Sequence, residues 1–92
     1  MGRFKLVAEV SSDSPAAVRP VLDALGGALT ETPEGYRLEA VLEGEDARTL
    51  NRELLSALRR AERRTRIRSE WSASGTTYRF FDYVPKGSRP VG

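Results

Sequence analysis

The residues best suited to chemistry in this chain form a run of arginines with aromatic side chains after it. The basic part lies in residues 59–68 and consists of Arg59, Arg60, Arg63, Arg64, Arg66 and Arg68. The aromatic residues that follow are Trp71, Tyr78, Phe80, Phe81 and Tyr83. In proteins that hold single-stranded RNA, guanidinium groups bind phosphates and aromatic rings stack on bases. The cluster is therefore a candidate contact for RNA or another polyanion.

The same residues also have a structural interpretation as a β-hairpin. Ser74-Gly75 resembles a two-residue turn between two alternating segments. One face of this hairpin would carry an ion pair and two cation–π contacts, which are Glu70 with Arg79, Arg68 with Phe81, and Arg66 with Tyr83. Each such cross-strand pair contributes about 0.2–1 kcal/mol. The opposite face would point to the core and would pair Ile67, Ser69 and Trp71 with Asp82, Phe80 and Tyr78.

The composition restricts the chemistry available to the chain. It has 92 residues and contains neither cysteine nor histidine. Disulfides, thiolate nucleophiles, the common zinc sites and imidazole acid–base catalysis are therefore excluded. No run of acidic residues resembles a calcium loop. Acylphosphatases, which are enzymes of a similar small α+β fold, bind phosphate with a glycine-rich loop after their first strand. Here that place is taken by Ser11-Ser12-Asp13-Ser14. We expect a protein without metal or cofactor that is not an enzyme.

The charges are distributed unevenly along the chain. Residues 1–46 hold four basic and nine acidic side chains, whereas residues 47–92 hold eleven basic and four acidic ones. Such a dipolar chain can bind an anionic partner or associate with a second copy of itself. No apolar run is long enough to span a membrane, and the N-terminus lacks a signal-peptide pattern. We therefore predict a soluble, cytoplasmic protein.

Hydrophobic periodicity predicts the order of the structural elements. Strict alternation predicts strands over residues 4–10 and 36–42. Apolar residues at helical spacing predict a first helix that starts at Ser14-Pro15 and ends at Gly26-Gly27, with Pro20 as an irregularity, and a long second helix over residues 46–63. Shorter segments that alternate, or that are rich in residues favouring strands, predict three further strands, at 28–32, 65–73 and 76–84.

The resulting order, β-α-β-β-α-β followed by one more β, predicts an α+β fold. Its first six elements match the ferredoxin-like plait, in which two helices cover one face of an antiparallel sheet. The last strand would extend that sheet as an additional C-terminal antiparallel strand. We expect residues 1–84 to form a single ferredoxin-like domain and residues 85–92 to be a flexible tail.

The uncovered face of the predicted sheet is a candidate interface. It would mix acidic and basic residues with a few apolar side chains, and acids there would repel phosphate. The apolar candidates are Val7, Val41, Phe81 and Tyr83. A mixed face favours sheet-to-sheet packing in a homodimer, or another protein partner, over nucleic acid. Self-association is the leading hypothesis, and RNA binding by the arginine cluster is the alternative.

The first part of the chain resembles a known family. A strand, a helix at Asp13-Ser14-Pro15, a hairpin, and then the helix that contains Glu45-Asp46-Ala47-Arg48-Thr49-Leu50-Asn51-Arg52-Glu53-Leu54-Leu55 are similar to the small dimerising subunit of the KEOPS tRNA-modification complex. The resemblance covers roughly residues 4–64, and the final hairpin at 65–84 departs from that family's pattern. It implies a non-catalytic dimerisation subunit that works near tRNA.

Overall fold

The computed structural model describes residues 2–82 of the chain. Within that range the elements are β1 (Gly2–Ser11), α1 (Pro15–Asp23), β2 (Ala28–Thr32), β3 (Gly35–Gly44), α2 (Ala47–Ala61), β4 (Arg66–Ala73) and β5 (Thr76–Asp82). This α+β order is the one that hydrophobic periodicity predicts. The predicted end of the last strand at residues 83 and 84, and the predicted tail at 85–92, lie outside the described residues.

Over residues 2–82 the strands form one five-stranded antiparallel sheet in the order β2-β3-β1-β4-β5. β1 lies at the centre and pairs with β3 from Gly2↔Gly44 to Ser11↔Gly35. Its other edge pairs with β4. Because β1 is bonded on both edges, its alternation of apolar and polar residues defines a buried face and an exposed face for the whole sheet.

The hydrophobic core lies between one face of the sheet and the two helices described over residues 2–82. The buried side chains of β1 are at alternate positions, as the sequence predicts for a half-buried strand. α1 and α2 bury apolar side chains in the same cluster. The largest fully buried side chains of the core are Trp71, Leu6, Leu22, Leu38, Leu58, Ile67, Val10 and Val18.

α1 starts at the predicted Pro15 and ends at Asp23, a few residues before the predicted Gly26-Gly27. Pro15 occupies the start of the helix, where its missing N–H would have no partner in any case. Pro20 lies inside the helix, which continues to Asp23. Since the proline lacks an N–H, α1 has one hydrogen bond fewer there. The helix stops before Gly26, whose φ of 77° is easily adopted by glycine.

α2 is shorter than the predicted 46–63. Asp46 is its N-cap, and the Asp46 carboxylate accepts a hydrogen bond from the main-chain N–H of Thr49 at 2.7 Å. This bond holds the pKa of the Asp46 carboxyl below its usual value. At the other end, Glu62 adopts an extended conformation, so the helix ends at Ala61. Arg59 and Arg60 in the last turn suit the negative end of the helix dipole.

A buried polar contact joins α2 to β4. Asn51 lies on the buried face of α2, and its Oδ1 accepts a hydrogen bond from Trp71 Nε1 at 3.1 Å and from Ser69 Oγ at 2.5 Å. All three residues are buried. Burying an indole N–H without an acceptor is unfavourable, so Asn51 allows Trp71 to fill the core.

We expect Asn51→Ala to lower the free energy of unfolding by about 2–4 kcal/mol, because it leaves the Trp71 and Ser69 donors unsatisfied inside the core. Urea unfolding followed by far-UV circular dichroism measures the change. Ser56→Ala, on the exposed side of the same helix, is the control and should stay within about 0.5 kcal/mol of the wild type. Equal stability of the two variants would contradict this role of Asn51.

The Asp46 cap makes stability depend on pH. The pKa of Asp46 is lowered in the folded protein, so the cap stabilises fully above the unfolded value near 3.8 and is lost as the pH falls through the lower folded value. We therefore expect the difference in melting temperature between wild type and Asp46→Ala to shrink below pH 3.8. Asp46→Asn, which can cap without titrating, should not show this loss in the same acidic range. A pH-independent difference for Asp46→Ala would contradict the prediction.

Candidate functional site

The arginine cluster does not form one surface in the folded chain. Arg59 and Arg60 end α2, Arg63 and Arg64 lie in the following loop, and the remaining members are on β4. The side chains of Arg66 and Arg68 belong to the exposed face of the sheet, because Ile67 between them is buried. The cluster is therefore divided between a helix end, a loop and a strand.

The loop between α2 and β4 is built around buried hydroxyl groups. Thr65 is fully buried, and its Oγ1 donates to the Glu62 carbonyl at 2.7 Å. The Glu62 carboxylate accepts hydrogen bonds from Ser12 Oγ at 3.2 Å and from the main-chain N–H of Arg64 at 3.1 Å. Ser12 Oγ in turn accepts from the N–H of Ser14 at 3.1 Å. This network joins the end of β1 to the start of β4.

Several arginines of the cluster have protein partners at this same junction. Arg64 Nε lies 2.9 Å from the Asp13 carboxylate, and Arg66 lies 3.8 Å from the other oxygen of that group. Arg59 Nε donates to the Thr65 carbonyl at 3.0 Å. Among the described residues, the side chains of Arg60 and Arg63 make no hydrogen bond or ion pair. Most of the cluster therefore stabilises the chain's own fold.

The final hairpin has the register that its two-residue turn predicts. Ala73 pairs with Thr76, and the pairing continues to Ile67↔Asp82. The predicted ion pair forms, with Arg79 Nε 3.1 Å from the Glu70 carboxylate. The predicted pairing of Arg66 with Tyr83 lies outside the described residues.

A row of interacting side chains crosses the exposed face of the sheet. Glu9 on β1 lies 3.5 Å from Arg37 on β3 and 4.0 Å from Arg68 on β4. The Arg68 guanidinium then stacks over the Phe81 ring on β5, at 5.6 Å from the ring centre, as the sequence predicts. Such mixed charges provide few free cations for phosphate groups.

The predicted apolar interface residues are placed apart from one another. Val7 is half-buried between Glu39 and Glu70 on the neighbouring strands. Val41 on β3 and Phe81 on β5 are both 58 % exposed, but β1 and β4 lie between their strands. Tyr83 lies outside the described residues. The exposed face therefore does not gather Val41 and Phe81 into one apolar patch.

The structure reveals a groove that the sequence does not indicate. It lies between the start of α2 and β5, on the side of the sheet that carries the helices. Its volume is about 450 Å³, and it is lined by Phe4, Glu45, Asp46, Ala47, Arg48, Tyr78 and Phe80. Tyr78 was predicted to face the core, yet it is 44 % exposed. β5 extends beyond α2, so its inner face is only partly covered.

Comparison of the chain with protein-family models, with curated proteins and with solved structures found no match. The resemblance of residues 4–64 to the KEOPS subunit therefore stays a prediction. Within residues 2–82, no helix is long and apolar enough to cross a membrane. The same part of the chain contains no group of three carboxylates that could hold a metal ion.

We expect Thr65→Val to lower the free energy of unfolding by about 1–3 kcal/mol, because it removes a fully buried hydroxyl and leaves its partners unsatisfied. The substitution nearly preserves the shape of the side chain, so a measured loss reports on the hydrogen bonds. Thr30→Val, at an exposed position of β2, is the matched control. If both variants unfold at the same urea concentration, the loop network does not contribute to stability.

Proposed function

We propose that this chain is a non-catalytic, cytoplasmic protein-interaction module that forms homodimers. The observation that carries the proposal is the position of its exposed aromatic residues. Among the residues whose side chains are described, the exposed large hydrophobic ones are Val41, Tyr78 and Phe81. Tyr78 and Phe81 both lie on β5, at one end of the sheet order, with Tyr78 on the helix side and Phe81 on the exposed face. Exposed aromatics on an edge strand are a surface that a protein partner can cover.

The charged residues support an interaction role rather than a catalytic one. The carboxylates of Glu9, Asp13 and Glu70 are each engaged by an arginine. The Asp46 carboxylate is occupied by the cap of α2. These groups have structural partners in the chain itself, so the proposal assigns them no role in proton transfer or nucleophilic attack.

We further propose that β1 to β4, with α1 and α2, form a ferredoxin-like plait that β5 extends. In support, β3 lies between β1 and β2, and β1 lies between β3 and β4. Each β-α-β unit is thus split by a strand of the other unit, which is the feature that defines the plait. The fold hosts many unrelated activities, so the proposed function depends on the surface rather than on the fold.

RNA or polyanion binding is the second candidate function. Arg60 and Arg63 favour it, because both are exposed and form no ion pair within residues 2–82. Against it, Asp13 lies against Arg64 and Arg66, and Glu9 lies against Arg68. Acidic groups beside arginines weaken attraction for phosphate. Homodimer formation explains the aromatic edge, whereas RNA binding does not require it.

A narrower proposal follows from the resemblance to the KEOPS subunit. A dimerisation subunit of a tRNA-modification complex would self-associate and also bind a second, different protein. The described element order up to the end of α2 is compatible with that resemblance, and the β4–β5 hairpin is the departure from it. Homodimer formation is common to both proposals.

Analytical ultracentrifugation tests the proposal. We expect a concentration-dependent species at twice the chain mass of 10.2 kDa, formed over about 1–100 µM chain. Phe81→Thr should raise the dimer dissociation constant by about tenfold or more, because it removes an exposed aromatic ring from the edge strand. Threonine keeps a good strand propensity, so the hairpin itself should persist.

Val41→Thr is the matched control, since Val41 is as exposed as Phe81 but lies on β3. It should leave the dissociation constant unchanged. A monomer throughout the concentration range would overturn the proposal. The absorbance ratio of the same samples reports any nucleic acid that co-purifies, and a salt-dependent RNA complex of a monomer would favour the second candidate.

A further inference from the structure

The outer edge of β5 is available for strand pairing in the described chain. Ser74 and Gly75 have φ values of 51° and 81°, which define a tight two-residue turn. In such a turn Ala73 and Thr76 form a hydrogen-bonded pair. Because bonding alternates along an antiparallel ladder, Arg79 and Phe81 direct their main-chain N–H and C=O groups away from β4. These groups are therefore directed toward the open edge, where a further strand could bond to them.

The exposed face of the sheet contains an arrangement of side chains that a further strand could repeat at this edge. Arg68 lies between Glu9 on one neighbouring strand and the Phe81 ring on the other, at 4.0 Å and 5.6 Å respectively. Arg79 has the first half of this arrangement, because its Nε lies 3.1 Å from the Glu70 carboxylate. Its other side faces the edge of the sheet, where no strand of residues 2–82 lies. An aromatic ring placed there would complete the same Glu–Arg–Phe row.

We propose that a second copy of the chain pairs its β5 with this edge, antiparallel and with Phe80 opposite Phe80 of the second copy. This inference rests on the proposed homodimer and specifies its geometry. The register places Arg79 opposite Phe81 of the second copy, and Phe81 opposite its Arg79. Each Phe81 ring then lies between Arg68 of its own chain and Arg79 of the other. The two sheets join into one continuous sheet.

Neighbouring registers are less favourable. Pairing Arg79 with itself places like charges directly opposite each other, which destabilises a strand pair. Pairing Tyr78 with itself places Arg79 opposite Thr77, so neither Arg79 nor Phe81 gains a cation–π partner from the second copy. A register shifted by one residue would place a side chain of the exposed face opposite one of the helix side. Because side chains alternate between the two faces of a strand, such a register is excluded. The Phe80 register is the one that gives each Arg79 an aromatic partner among the described residues.

The helix side of the sheet supports the same arrangement. Phe80 is only partly buried and packs against the core, and Tyr78 beside it is 44 % exposed. Pairing β5 with a second β5 would bring two Phe80 rings into contact at the centre of the interface. Aromatic pairs across strands are among the stabilising contacts of a sheet. The partly covered end of each groove, at Tyr78 and Phe80, would then meet the other chain.

Single-cysteine cross-linking tests the register, and the chain is well suited to it because it has no cysteine of its own. In the proposed register the Phe80 positions form a non-hydrogen-bonded pair with Cα atoms about 4.5 Å apart, a separation that a disulfide can bridge. Phe80→Cys should therefore oxidise to a covalent dimer about tenfold more efficiently than Val41→Cys at equal concentration. Non-reducing electrophoresis reads the result.

Arg79→Cys mixed with Phe81→Cys provides a second test that keeps the Phe80 ring. The mixture should form a covalent heterodimer, while neither variant should form a covalent dimer alone. Self-cross-linking of Arg79→Cys or Phe81→Cys would show a different register and overturn the inference. A wild-type dimer in the ultracentrifuge without any β5 cross-link, or with one at Val41→Cys instead, would overturn the inference and leave the homodimer intact. A wild-type monomer would overturn both.

Discussion

The central strand β1 is bonded to β3 on one edge and to β4 on the other, and its side chains alternate between core and solvent. A slip of one residue in either pairing would move its buried leucine and valine side chains into water. This constraint sets the buried face of the neighbouring strands and thus the side on which α1 and α2 pack. The row from Arg37 through Glu9 to Arg68 forms on the opposite face for the same reason.

The two helices α1 and α2 do not cover the whole inner face of the five-stranded sheet. α2 buries Trp71 of β4 through Asn51, so the helix lies over the inner part of the sheet. β5 extends the sheet past that helix, and its inner face keeps Tyr78 partly in solvent. The hairpin therefore adds a strand to the sheet and also creates an edge with exposed aromatic residues. Natural sheets protect such edges by charge, by shortness or by a partner.

Many of the described charged side chains form ion pairs with one another. The excess of basic residues in the second half of the sequence meets the acidic residues of the first half, as in the contact of Arg64 with Asp13. These pairs are solvent-exposed, so each contributes about 0.2–1 kcal/mol and weakens in salt. Their larger effect is on recognition, because an arginine beside a carboxylate attracts an external phosphate less strongly.

The sequence by itself determined the order of the elements, the buried faces of the strands and the register of the final hairpin. These features are local: period-two alternation, helical spacing and a two-residue turn act between residues close in the chain. The cation–π contact of Arg68 with Phe81 follows from that register, so it was predictable. The helix boundary at Ala61 was missed by two residues, because the Glu62 carboxylate bonds to Ser12 fifty positions away.

The tertiary structure alone decided which arginines are engaged and which aromatics are exposed. Asp13 meets Arg64 because the end of β1 and the start of β4 are brought to the same end of the sheet, and no sequence period connects them. Tyr78 has the alternation of a core residue, yet it is exposed because α2 does not extend over β5. Burial depends on what packs above a strand, and that depends on how helix and sheet are placed in space.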